Sequence, residues 1–188
     1  MKTNSTNTLT TSKIAKLFNL QKDRPNMYSK SENIFIDNAE EERKYESVCK
    51  IGEGAEFIST KLIDKETRRS ICKKLLKSDV LSAKARETKL KEFEINCSIH
   101  HPSICKAYLI DKNLFSIYVE YLDYDLKGFL SSDYGSNTMK AKIIVEISHA
   151  INFLHKKSMI HKKISIDNIR LNSALEAKLT NVGSVDNK

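Results

Sequence analysis

Glycine and proline are scarce, five and two in 188 residues. A collagen-like chain needs glycine at every third position and a low-complexity chain is rich in both residues, so neither class fits. No apolar run approaches the roughly 18 residues that cross a bilayer. Ile143-Ile144-Val145 is typical of what exists. Met1 to Thr11 is polar and has no apolar stretch of the kind a secretory signal carries. Cys49, Cys72, Cys97 and Cys105 form no C-x-x-C pair, which argues against a zinc site or a disulfide framework and for reduced thiols. The histidines (His100, His101, His149, His155, His161) form no H-E-x-x-H pattern. These absences predict a soluble intracellular protein, cytoplasmic or nuclear, with no membrane contact.

Hydrophobic residues make up 40% of the chain and charged residues 30%, enough apolar surface for one globular core plus a tail. The net charge is +8, but lysines alternate with acids, as in Lys84 to Glu94. That pattern reads as a solvated face rather than a nucleic-acid surface. Residues 1–44 read as a polar, disordered tail broken by Pro25, with Ile14-Ala15-Lys16-Leu17-Phe18 as a short helix, a docking peptide or a local turn. From Tyr45 the pattern changes. Tyr45–Lys50, Phe57–Ile63 and Arg69–Leu76 predict an antiparallel meander. Val80–Ile99 has helical spacing, two strands follow (Ile104–Ile110 and Phe115–Leu122), and Lys140–Lys157 is an amphipathic helix. Its apolar face carries Ile143, Ile144, Ile147, Ile151 and Leu154. The order is that of an α+β fold.

Certain residues carry chemistry. Ile51-Gly52-Glu53-Gly54 lies between two strands, where glycines form either a plain turn or a place for backbone amides to approach phosphate. Ser70-Ile71-Cys72-Lys73 puts a lysine in the third strand, and Glu92 follows on the helix. The pair reads as a surface ion pair or as part of a nucleotide site. Next come His101-Pro102, Val119-Glu120-Tyr121-Leu122 and Asp125-Leu126-Lys127. The chain then runs through Phe153-Leu154-His155 to Ile160-His161-Lys162-Lys163-Ile164-Ser165-Ile166-Asp167-Asn168-Ile169. Ala177-Lys178-Leu179-Thr180-Asn181-Val182-Gly183 closes the series.

In this order the motifs resemble a eukaryotic protein kinase, nearest the serine/threonine, cyclin-dependent-kinase-like group, over about Tyr45 to Val185. The resemblance implies a protein-kinase-like fold, with a five-stranded antiparallel N-lobe, one long helix and the first part of a helical C-lobe. Residues 45–122 would be N-lobe and hinge, and 123–188 a partial C-lobe ending just after Asn181-Val182-Gly183. It implies an ATP site in which Gly52 and Gly54 are the first loop glycines, flanked by Ile51 and Ile58, while Phe57 replaces the third glycine. Cys72 would line the adenine pocket, Lys73 would contact phosphates, Glu92 would hold Lys73, and Glu120 and Leu122 would offer hinge backbone groups. Val119 takes the gatekeeper position.

The same resemblance implies a disabled catalytic loop. The aspartate that accepts the substrate proton in the family is Lys163 here, and the following lysine is Ser165. The magnesium-binding aspartate is Asn181, whose neutral amide attracts a cation far less than a carboxylate does. Asn168 matches the family's metal-binding asparagine and reads as a metal ligand or a loop cap. Asp167 is poorly placed to replace the base, and His161 matches a structural histidine. ATP is therefore the expected ligand, and magnesium is doubtful.

The chain stops at Lys188, before the family's activation segment, A-P-E motif and later helices. That predicts a partly exposed apolar face on the Lys140–Lys157 helix and dependence on a partner. The reading is a pseudokinase working as scaffold or allosteric partner of another protein. An active serine/threonine kinase is the alternative, and a basic binding module or gene fragment a further one.

Overall fold

Successive side chains on a strand point to opposite faces, and the first half of the chain uses both faces of one sheet. β1 (Tyr45–Glu53), β2 (Phe57–Asp64), β3 (Ser70–Leu76), β4 (Ala107–Asp111) and β5 (Ser116–Glu120) pair antiparallel in the order β1-β2-β3-β5-β4. In this computed structural model the described residues are 35–77, 82–132, 136–182 and 186–187. The segment Ile14–Phe18, Pro25, Gly183 and Lys188 lie outside them.

Aspartates build two of the tight connections of this sheet. After β2, Asp64 Oδ1 accepts from the backbone N–H groups of Glu66 (3.1 Å) and Thr67 (2.7 Å). After β4, Asp111 Oδ1 accepts likewise from Asn113 (2.8 Å) and Leu114 (2.9 Å). A short carboxylate satisfies the amides that a turn leaves without a ladder partner. On the inner face, Cys72, Ile117 and Val119 pack with Phe93 and Cys97 of α2 (Ala83–Ser98). That helix, expected over 80–99, is capped by the Ser82 hydroxyl, which accepts from Ala85 N–H at 3.3 Å. On the outer face, Leu62, Ile71, Leu109 and Tyr118 form a second apolar cluster with Ile36 and Tyr45.

Residues 35–44 are ordered as well. Ile36 is buried and its N–H donates to the Ile110 carbonyl at 3.0 Å. α1 (Asn38–Lys44) follows, capped by Asp37, whose Oδ1 accepts from Glu40 N–H at 2.8 Å. Residues 35–44, expected as tail, are therefore part of the folded unit, because Ile36 and Tyr45 find apolar cover on the outer face of the sheet.

The second part of the chain is organised by α4 (Asn137–Lys156). Around it lie β6 (Tyr124–Asp125), α3 (Leu126–Leu130), β7 (Met159–Ile160), β8 (Ile169–Leu171), β9 (Ala177–Leu179) and β10 (Asp186–Asn187). β6, β8 and β9 form one small sheet, and β7 pairs with β10. Ile143, Ile147, Ala150 and Leu154 of α4 are buried with Leu126, Phe129, Leu171 and Leu179. The apolar face expected to be partly exposed is thus largely covered by residues of the same chain. Ile144 is the exception and stays 66% exposed.

Candidate functional site

Between the inner face of the sheet, α2 and the loop before β8 lies a cleft of about 380 Å³, within the usual size range of ligand pockets. Its position follows from how residues 103–105 are held. Cys105 N–H donates to the Leu179 carbonyl and Leu179 N–H to the Ser103 carbonyl, both at 2.9 Å. These bonds set the segment entering β4 beside β9, so the residues just after β9 reach the sheet.

Register decides which strand residues face the cleft. Lys74 is opposite Ser59 of β2 and Ile117 of β5, and Cys72 is opposite Val119. Ser59, Lys74, Ile117 and Val119 line the cleft together with Glu92 of α2, Lys163 and Asn181. Lys73 points the other way. Its Nζ meets Glu41 Oε1 at 2.7 Å and Oε2 at 2.5 Å, above the Tyr118 ring at 5.5 Å from its centroid. The expected Lys73–Glu92 pair is therefore not formed, and the lysine on the cleft side is Lys74. Ile58 lies one position out of phase in the same way, leaving Ser59 inside. Both corrections were legible in the sequence. With Cys72 inward, the two-residue period puts position 74, not 73, on the same face.

Phe57, at the third-glycine position, lines the cleft and packs its ring on Phe93 with centroids 6.0 Å apart. Gly54 also lines it, while Ile51 is 38% exposed outside it. A Cβ added at Gly52 would meet nothing within 4 Å, and at Gly54 only the Phe57 carbonyl, at 3.9 Å. The fold itself thus leaves room for side chains at both positions. Glu92 accepts from Lys89 Nζ at 2.7 Å, and Lys89 also meets Glu56 at 3.2 Å. Burial alone would depress the Lys89 ammonium, but these two carboxylates outweigh it and raise its pKa.

The two residues expected at the hinge are engaged by the protein itself. Glu120 N–H donates to the Lys106 carbonyl at 2.8 Å, and the Glu120 carboxylate meets Lys178 Nζ at 3.2 Å. Leu122 is buried, and its carbonyl accepts from Arg170 Nη2 at 3.4 Å.

Opposite the sheet, a hydrogen-bonded chain crosses the floor. Lys74 Nζ donates to Asn181 Oδ1 at 2.8 Å, Asn181 Nδ2 to Asn168 Oδ1 at 2.7 Å, and Asn168 Nδ2 to the Lys163 carbonyl at 2.8 Å. Asn181 sits at φ 61°, a left-handed conformation that asparagine tolerates better than most residues. His161 is buried and fixes the loop. Its Nε2 lies 2.9 Å from the Thr180 carbonyl and its Nδ1 accepts from Lys163 N–H at 3.3 Å, which the Nε2–H tautomer satisfies. Ser165 lies just outside the 3₁₀ turn Ile166–Asn168, with no side-chain cap bond to it.

Three thiols are buried, and of these Cys105 lines the cleft while Cys72 and Cys97 are packed behind it. Burial pushes Cys72 up, and it pushes Cys97 and Cys105 up to about 12, whereas Cys49 is exposed. A thiol reagent at pH 8 should titrate one cysteine of the native chain rapidly and all four only on unfolding. Fast reaction at Cys105 would show that the inner face opens to solvent.

The family model described as "Protein kinase domain" matches residues 45–187. Cyclin-dependent kinase G-2 of Oryza sativa subsp. indica is 29% identical over 151 residues, covering 74% of this chain and 21% of that protein. Cell division control protein 2 homolog 3 of Trypanosoma brucei brucei is 27% identical over 145 residues, 74% of this chain and 46% of that protein. Extracellular signal-regulated kinase 2 of Dictyostelium discoideum is 26% identical over 147 residues, 75% and 40%. The chain spans less than half the length of each of these relatives.

Proposed function

The chain belongs to the eukaryotic serine/threonine protein kinase family, and on that premise we propose that it binds a nucleotide without transferring its phosphate, and acts through another protein. One observation carries the reading. The position that holds the family's proton-accepting aspartate is Lys163, and it lines the cleft. An ammonium donates three protons and accepts none, so it cannot take the proton of an incoming hydroxyl. Asn181 and Ser165 weaken the same half of the site, because phosphoryl transfer rests on positioned charge as well as on the base.

The other half supports binding. Lys74 stands on the inner face with Ser59, Val119 and Ile117 around it, a cation beside an apolar wall. Among the described residues no helix is long and apolar enough to cross a membrane, and the charged surface mixes both signs. A protein therefore suits the role of partner better than a bilayer or a nucleic acid.

The test is a pair of measurements on the 188-residue chain. ATP at 100 times its dissociation constant should raise Tm by about 5–10 °C, while labelled ATP transfers no phosphate to the chain or to a generic protein substrate. Transfer that vanishes in Lys74→Met would restore the active-kinase reading. A cooperatively folded chain with no shift would leave a scaffold without nucleotide.

A further inference from the structure

A divalent ion in this cleft would need open oxygens, and the amide oxygens of Asn168 and Asn181, at the two positions where the family holds its metal, are already used. Asn181 Oδ1 accepts from the Lys74 ammonium, and Asn168 Oδ1 accepts from Asn181 Nδ2. Asn168 Nδ2 is in turn tied to the Lys163 carbonyl. Each amide is oriented by its neighbour, and flipping either would face a donor with a donor. Magnesium favours a near-octahedral shell of oxygens in which carboxylates supply charge. Among the described residues, no group of three or more His, Cys, Asp or Glu is placed to hold a metal ion. The residues present do not fit magnesium.

They do fit an anion. Lys74, Lys89 and Lys163 line one cleft. Lys89 is matched by Glu56 and Glu92. Lys74 is held by a neutral amide, and Lys163 stands where the family has an acid. We infer that the cleft takes the polyphosphate of a nucleotide without a divalent cation, Lys74 and Lys163 together supplying the positive charge that the ion would. The inference rests on the nucleotide-binding reading above and adds which ionic form is bound. A phosphate oxygen need only replace Asn181 Oδ1 as the acceptor of the Lys74 ammonium. Magnesium bound to ATP would offset about half of the negative charge that the two lysines read.

The experiment is calorimetric titration of the 188-residue chain with ATP, once in EDTA and once in excess magnesium. The dissociation constant in EDTA should equal or fall below that in magnesium. Lys163→Gln should weaken binding in EDTA by about tenfold, with circular dichroism matching the wild type. Asn181→Asp combined with Lys163→Asp should make binding tighter in magnesium than in EDTA. Wild-type binding that is tenfold or more tighter in magnesium overturns this inference and leaves nucleotide binding standing. Unchanged affinity in a folded Lys163→Gln removes Lys163 from it. Absence of heat in both buffers from a folded chain overturns both readings.

Discussion

Replacing Lys74 with methionine is expected to erase the ATP-induced rise in Tm, whereas replacing Lys73 with methionine leaves that rise in place. The two lysines are neighbours in the chain but occupy opposite faces of β3. Lys74 shares its face with Cys72 and reaches Asn181 across the cleft. Lys73 turns outward to Glu41. At 100 times the dissociation constant ATP contributes about 2.7 kcal/mol to the wild type, and that stabilisation should vanish only in Lys74→Met. The unliganded Lys74→Met chain should unfold close to the wild-type temperature, since one hydrogen bond to an amide is worth about 1 kcal/mol. Thermal unfolding of both variants with and without ATP decides the matter. Loss of the response in Lys73→Met with retention in Lys74→Met would show that β3 runs in the opposite phase.

Lys73 has a different role, and its loss should appear in the unliganded protein. Lys73→Met and Glu41→Leu are each expected to cost about 3 kcal/mol in urea unfolding. The two side chains are 14% and 15% exposed, bonded through both carboxylate oxygens, and seated over the fully buried Tyr118. Burial, followed by the Glu41 carboxylate, drives the Tyr118 phenol far above its usual range, a measure of how little water reaches this spot. Removing one partner strands the other charge there. The double variant should be less damaged than the sum of the singles, because apolar groups of similar volume replace a pair whose desolvation offsets much of its attraction. Additive single effects would mean that Glu41 and Lys73 do not interact in solution, and that α1 does not close over the sheet.

Much of the fold could be read in advance. The β-type segment Phe57–Ile63 and the apolar spacing of Ile143, Ile147 and Leu154 named a strand and the long helix, because burial on one face of a helix imposes its period. Ile144 was assigned to the buried face and is exposed. A position one residue from Ile143 lies 100° around the helix, at the edge of the stripe. The start of the folded unit was missed because Ile34-Phe35-Ile36 is a short apolar run within a polar stretch. Only the sheet beneath Ile36 gives it a reason to be ordered.

The site divides along the same line. The order of motifs and their residue types pointed to Lys163, Ser165 and Asn181 as departures from the family pattern, since each depends only on position within a local pattern. The choice between Lys73 and Lys74 was also open to local argument, through the period of two. The contacts that define the cleft were not. Lys73 finds Glu41 32 residues away, and Lys74 finds Asn181 107 residues away. Side chains so far apart meet only after two sheets and a helix have packed. The sequence by itself determined which groups the cleft lacks, and the tertiary structure decided which of the remaining ones touch.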